Sequence, residues 1–129
     1  MTERGVVMQR PREIAESYWR AEMRRDLAAI LEHYAEDAEL LVPGLGSLVG
    51  HEGIRKFYEP SIEQYPELVV EIGRSLEDGP VGAIEWSSVH TDVHGKTYPC
   101  LGVSFIEVGD GKFKTVHVYY DPGAFAHGH

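Results

Sequence analysis

Apolar residues recur at helical spacing in the first part of the chain. The first such segment covers residues 12–25 and follows Pro11, a residue that is favoured at the start of a helix. Its apolar positions are Ile14, Ala15, Tyr18, Trp19, Ala21 and Met23. The charged residues between them, including Glu22 and Arg25, are interpreted as a solvated helix face. Asp26 then predicts the N-cap of a second helix, which runs through LAAILEHYAED.

Two further segments precede the middle of the chain. AELLVP is a short apolar run that predicts a strand, and GLGSLVG, with three glycines, predicts a loop. HEGIRKFYEPSIEQY again has helical spacing, and Pro60 would shorten or bend that third helix.

After Pro66 the pattern changes to long strands that are separated by tight turns. The strand candidates are ELVVEIGRSLE, VGAIEWSSVHTDV, TYPCLGVSFIEV and FKTVHVYYDP. The segments DGP, HGK and GDGK between them carry turn residues. Helices followed by antiparallel strands predict an α+β fold, in which the helices pack on one face of a sheet.

The length of 129 residues predicts one domain. We assign it to residues 11–125, with a flexible N-terminal arm at 1–10 and a flexible tail at 126–129.

The two-residue period of a strand assigns side chains to faces. On the last strand, one face would carry Phe113, Thr115, His117, Tyr119 and Asp121, and the other Lys114, Val116, Val118 and Tyr120. The first set mixes rings with polar groups, which is typical of a ligand cavity. On the earlier strand, the corresponding face carries Ile84, Trp86, Ser88 and His90.

Charge and composition narrow the class of protein. The net charge is −9, and no basic face is evident, so we expect no nucleic-acid partner. The N-terminus lacks the apolar run of a signal peptide, and no stretch is long enough to span a bilayer, so we expect no membrane association. The single cysteine, Cys100, excludes an intramolecular disulfide and suits a cytoplasmic protein.

Several segments together resemble the SnoaL-like branch of the nuclear transport factor two-like superfamily. They are YWRAEMRRDLAAILEHYAEDAEL, GLGSLVGHEGIRKFYE, IEWSSVH and GVSFIEVGDGKFKTVHVYYDP. The resemblance implies a cone-shaped, cystatin-like barrel in which a curved, mainly antiparallel sheet wraps around three N-terminal helices. It also implies a deep apolar pocket and often a homodimer. Members include polyketide cyclases, ketosteroid isomerases, epoxide hydrolases and dehydratases, so the resemblance does not define the reaction.

In this family the two strands described above are neighbours, which would bring their polar residues around one space. Substrate-binding residues would then be Trp86, Ser88, His90 and Tyr119 from the strands. Tyr18 and Trp19 from the first helix would close the space, together with Tyr34 and Tyr58 from the later helices.

Asp121 is the sharpest candidate for chemistry. In SnoaL-like cyclases an acid near this point of the last strand serves as acid/base, and Asp121 matches it by position. Burial in an apolar cavity would raise its pKa and suit it to proton transfer. His117, four residues earlier on the same predicted face, would hydrogen-bond to Asp121 as a second catalytic residue, or would line the pocket as a plain polar residue. The alternative is structural, because an aspartate before a proline often caps a turn.

No cofactor is expected. His90, His117 and Asp121 offer a two-histidine, one-carboxylate set, but their spacing matches no strong metal motif, so we predict no metal. GLGSLVG lacks the lysine of a phosphate-binding loop.

The sequence therefore supports two functions. The first is a cyclase, isomerase or dehydratase that acts on a hydrophobic carbonyl compound by acid/base chemistry. The second is a ligand-binding or interaction module of the same fold. Trp86 and Ser88 stand where an epoxide hydrolase would offer an arginine and an acid, which argues against epoxide opening. In either case we expect a small hydrophobic ligand and a homodimer through the outer sheet face.

Overall fold

The computed structural model describes residues 10–126, so the predicted arm and tail lie outside the described residues except for Arg10 and Ala126. Helices α1, α2 and α3 span Pro11–Met23, Leu27–Glu32 and Gly50–Gln64. Strands β1 to β6 span Tyr34–Val42, Gly46–Val49, Glu67–Asp78, Val81–Thr91, Thr97–Gly109 and Lys112–Tyr120. A 3₁₀ helix follows at Pro122–Phe125.

The strands form one mixed sheet in the order β2-β1-β6-β5-β4-β3. All neighbours are antiparallel except β1 and β6, which run parallel although they are far apart in the chain. Strands β2 and β3 form the two edges, so the sheet is open rather than closed into a barrel. The helices cover its concave face, which confirms the predicted α+β class.

The helices begin as the sequence predicts. Pro11 occupies the first turn of α1, where a missing backbone N–H costs no hydrogen bond. Asp26 caps α2, because its side chain accepts a bond of 3.1 Å from the amide of Ala29. α1 turns Ile14 and Trp19 toward the core and packs mainly on β3. Pro60 lies inside α3, which nevertheless continues to Gln64.

The predicted extent of the second helix is wrong. α2 ends at Glu32, and the chain enters β1 at Tyr34. Backbone pairing with β6 begins at this point, where the amide of Phe113 donates to the carbonyl of His33 over 2.8 Å. These tertiary contacts override the helical spacing of the sequence. The predicted loop GLGSLVG likewise includes β2, which pairs with β1 over Gly46–Val49.

Tight turns join the long strands, as predicted. The β5–β6 hairpin closes through Asp110 and Gly111, both with positive φ (54° and 77°), which is the conformation that an Asp-Gly pair favours. No helix within residues 10–126 is long and apolar enough to cross a bilayer.

Candidate active site

A cavity of about 450 Å³ lies between the helices and the concave face of the sheet. Most of its wall is apolar, as in typical small-molecule sites. The apolar wall includes Trp19, Leu68, Val70, Trp86, Ile106, Phe113, Val116 and Val118. The polar groups that reach it include Tyr18, Glu22, Tyr58, Tyr65, Ser88 and His90.

A chain of hydrogen bonds runs from a buried carboxyl through three tyrosines. The hydroxyl of Tyr18 lies 2.7 Å from Oε2 of Glu22 and 2.5 Å from the hydroxyl of Tyr58. Tyr58 in turn lies 2.6 Å from the hydroxyl of Tyr34. Tyr18 and Glu22 are four residues apart on α1, so one helical turn stacks them on the same side. The sequence analysis did not select Glu22 as a site residue, although its spacing of four residues from Tyr18 predicts that the two share one side of the helix.

Arg25 forms an ion pair with the second oxygen of the Glu22 carboxyl, the one that Tyr18 does not contact. Its guanidinium lies 3.0 Å from Oε1 of Glu22, and the two side chains are only 8% and 15% exposed. It also donates to the carbonyls of Ser61 and Tyr65 near the end of α3. The interpretation of this segment as a solvated face is therefore wrong for Glu22 and Arg25, which pack under α3.

Burial controls the ionisation of this network. It raises the pKa of Glu22, although the bond from Tyr18 and the charge of Arg25 act in the opposite direction. It also raises the pKa of Tyr18 and Tyr58 well above the ordinary value, with neighbouring groups adding to the effect. The hydroxyls therefore stay protonated, and the carboxyl keeps its proton to higher pH than an ordinary glutamate.

Ser88 and His90 face the cavity from β4, as predicted. Within the described part of the chain, Oγ of Ser88 and Nδ1 of His90 are buried and have no hydrogen-bond partner. Burial, with a contribution from the charge of Arg25, lowers the pKa of His90 to about 4. The imidazole is therefore neutral at neutral pH, and the same burial makes it a weaker base than an exposed histidine.

Trp86 forms a wall of the cavity, also as predicted. Its indole Nε1 donates to Oγ of Ser104 over 3.0 Å. The ring lies over Gly102, where a Cβ atom would come within 2.7 Å of Cη2 of the indole. The indole of Trp86 therefore fits at this position only because Gly102 has no side chain.

Aromatic rings close the end of the cavity near His90. Phe125 of the 3₁₀ helix lies 5.1 Å from the His90 ring and 5.7 Å from Tyr65. Tyr120 of β6 lies 6.0 Å from Phe125. The sequence did not indicate these residues, because the alternation of β6 places Tyr120 on the face opposite the predicted cavity and no local pattern predicts the 3₁₀ helix.

The predicted faces of β6 are wrong beyond Phe113. Val108 of β5 pairs with Phe113 and Glu107 pairs with Thr115, so Lys114 is an extra, bulged residue. The bulge inverts the alternation that follows it, and Val116, Val118 and Tyr120 point into the cavity.

As a consequence, His117, Tyr119 and Asp121 lie on the other side of the sheet. His117 bonds to Glu39 over 3.0 Å, and Tyr119 is exposed. Asp121 is also exposed, and it accepts a bond of 2.8 Å from the amide of Gly123 at the start of the 3₁₀ helix. The prediction that Asp121 and His117 face the cavity is wrong, and the capping alternative for Asp121 describes its place.

Six of the predicted substrate-binding residues line the cavity: Tyr18, Trp19, Tyr58, Trp86, Ser88 and His90. Tyr34 lies on β1 rather than on a helix, and its hydroxyl hydrogen-bonds with that of Tyr58.

The possible metal set is split, because His90 points inward while His117 and Asp121 point outward. Among residues 10–126, no three His, Cys, Asp or Glu side chains come together as metal ligands would.

Solved structures share this fold. TerC, co-crystallised with polyporic acid, is 24% identical over 88% of this chain and 93% of its own, with a TM-score of 0.74. A hypothetical protein of ketosteroid isomerase-like fold from Catenulispora acidiphila, in complex with trimethylamine, is 16% identical over 90% of both chains, with a TM-score of 0.78. An LEH-like epoxide hydrolase from M. tuberculosis is 17% identical over 84% of this chain and 80% of its own, with a TM-score of 0.72.

These identities show the fold alone. No curated protein matches the sequence significantly. The model of the SnoaL-like domain, in contrast, matches residues 15–116, which is most of the chain. The protein therefore belongs to the SnoaL-like domain family, as its sequence predicted.

Proposed function

We propose that this protein is a cofactor-independent acid/base enzyme that moves a proton on a small hydrophobic carbonyl compound. The hydrogen-bonded chain of Glu22, Tyr18 and Tyr58 carries the proposal, because it brings an ionisable group against an apolar cavity. Charge that develops on a substrate oxygen is best stabilised by preorganised donors in such a dry site.

Glu22 is the source of the proton. When its carboxyl is protonated, it donates to the Tyr18 oxygen and releases the Tyr18 hydroxyl proton to a substrate carbonyl. When the enol forms, the proton of Tyr18 moves to the substrate oxygen and that of Glu22 moves to Tyr18. The carboxylate that remains lies 3.0 Å from the Arg25 guanidinium, which stabilises its charge.

His90 is the acceptor of the carbon-bound proton. Its imidazole is neutral above a pKa of about 4 and lines the same cavity. As the C–H bond breaks, its electron pair forms the carbon–carbon double bond of the enol. The proton of the C–H bond goes to His90. Its return to the same or another carbon, while the oxygen proton returns to Glu22 through Tyr18, restores both residues.

Deuterium exchange tests this proposal without knowledge of the product. A panel of cyclic and aryl ketones in deuterium oxide, followed by NMR, would reveal any compound whose carbon-bound protons the protein exchanges. For such a compound, we expect Tyr18→Phe and Glu22→Gln each to lower the exchange rate about a hundredfold, because each interrupts the relay. His90→Phe should have an effect of at least similar size.

Asp121→Asn is the matched control, because Asp121 is a carboxylate of the same domain that lies outside the cavity. We expect this variant to exchange as fast as the wild type. If the wild type exchanges no faster than the Glu22→Gln variant for any ketone, the catalytic proposal fails. The family fold would then act as a ligand-binding module.

A further inference from the structure

Ser88 is a polar residue of the cavity that the proton relay does not use. It is 5% exposed, and its Oγ has no hydrogen-bond partner within the described part of the chain. An unpaired hydroxyl at such a buried position destabilises a fold, so native proteins rarely keep one without a use. Ser88 lines the cavity, and no described residue satisfies its proton or its lone pairs.

The neighbouring strands do not satisfy this hydroxyl. Ser88 pairs with Val70 on β3 and with Cys100 on β5, and both partners are buried. Val70 has no polar side-chain atom, and the thiol of Cys100 makes a weak contact with the carbonyl of Leu101. The arrangement is therefore fixed by strand pairing rather than by a polar contact of Ser88 itself.

The place of Ser88 relates it to the proposed reaction. His90 follows two residues later on the same inward face of β4, and both residues line the cavity. Trp86 lies two residues earlier on that face. Its indole N–H donates to Ser104, so it is not available to hydrogen-bond with the Ser88 hydroxyl.

We propose that Ser88 is a specificity-determining residue that binds a second oxygen of the substrate, separate from the reacting carbonyl. The substrate class is then a mainly apolar compound with two oxygen functions, the second being a hydroxyl or a carbonyl. This inference rests on the proposed function only in placing the reacting carbonyl at Tyr18.

Matched aromatic probes test the inference by direct binding, without turnover. Naphthol offers one oxygen, and the dihydroxynaphthalene isomers offer a second at different separations. We expect at least one isomer to bind the wild type about fivefold more tightly than naphthol, which corresponds to one added hydrogen bond. Ser88→Ala should reduce that ratio to about one, while naphthol itself binds as before.

Ser87→Ala is the matched control, because it makes the same change one residue away on the outer face of β4. It should keep the ratio of the wild type. The inference is overturned if no isomer binds the wild type more tightly than naphthol, or if the ratio survives in Ser88→Ala. Tyr18→Phe separates the two proposals: it should weaken both probes and keep their ratio, whereas unchanged binding of naphthol counts against the proposed function alone.

Thermal unfolding of the ligand-free protein provides a second measurement. Removal of an unpaired buried hydroxyl should raise the melting temperature of Ser88→Ala above that of the wild type and of Ser87→Ala. A lower melting temperature would mean that the fold itself uses the hydroxyl, and would overturn the inference.

Discussion

His90 combines partial burial with a neutral imidazole, and this combination links stability to pH. Its pKa in the folded protein is about 4, whereas that of an unfolded chain is about 6.5. As the pH falls, the unfolded chain therefore binds the proton first. The stability that depends on the neutral ring is complete above about pH 6.5 and is lost between that value and about pH 4.

We therefore expect the free energy of unfolding to fall by about 3 kcal/mol across this window because of His90. His90→Phe should remove this part of the pH dependence. Urea unfolding of both proteins at about pH 7 and about pH 4 measures the difference. Glu22, whose pKa is raised, acts in the opposite direction in both proteins, so the comparison cancels its effect. An identical pH dependence in the two proteins would contradict the buried, neutral state of His90.

At the level of single residues, the sequence predicted the cavity residues of β4 but not the buried acid, Glu22. Trp86, Ser88 and His90 follow a regular strand, where alternation alone assigns the face. Glu22 was missed because a charged residue among arginines is usually solvated. Its burial depends on Arg25, and that contact depends on the end of α3, which lies about forty residues later in the chain.

At the level of elements, one inserted residue decided which side of β6 faces the cavity. The sequence predicted the strand and the Asp-Gly turn before it, because both are local. The bulge at Lys114 is an outcome of pairing with β5, and no local pattern indicated it. The start of β1 was missed for the same reason, since its partner β6 is distant in sequence.

The pairing of Trp86 on β4 with Gly102 on β5 leads to a prediction about Gly102. A Cβ atom there would lie within 2.7 Å of the indole and 2.8 Å from the backbone oxygen of Tyr119. We expect Gly102→Ala to displace the indole and to lower the free energy of unfolding by about 1–3 kcal/mol.

Denaturant unfolding, together with the tryptophan emission spectrum, would measure both effects. Gly53→Ala in α3 is the matched control, because its Cβ atom would meet only ordinary contacts, 3.6 Å or more from Leu48. That change should be neutral or stabilising, by up to about 1 kcal/mol. Equal stability of the two variants would contradict the packing of Trp86 on Gly102.

At the level of the whole molecule, the convex face of the sheet exposes apolar side chains. Leu101 is 77% exposed and Val69 60%, and Phe105 and Tyr119 are exposed on the same face. Several exposed large apolar side chains on one face of a sheet are typical of an interface. We propose that two copies associate through this face, as the sequence led us to expect.

Light scattering should then give about twice the mass of the 14.5 kDa chain. Leu101→Lys places a charge in the middle of the proposed interface and should yield a monomer that keeps the fold. Val93→Lys, at an exposed apolar position in the β4–β5 turn, should leave the mass unchanged. A wild-type protein that remains monomeric at micromolar concentrations would contradict this proposal.

The parallel pairing of β1 with β6 has a consequence for the order of folding. Tyr34 and Phe113 are paired although 79 positions separate them, so the loop between them must close before the centre of the sheet exists. During synthesis, α1, α2 and β1 emerge long before β6, and the backbone edge of β1 that pairs with β6 stays unpaired meanwhile. Because Val116, Val118 and Tyr120 of β6 line the cavity, its wall is complete only after residues 112–120 have been made, and the cavity is among the last features of the molecule to form.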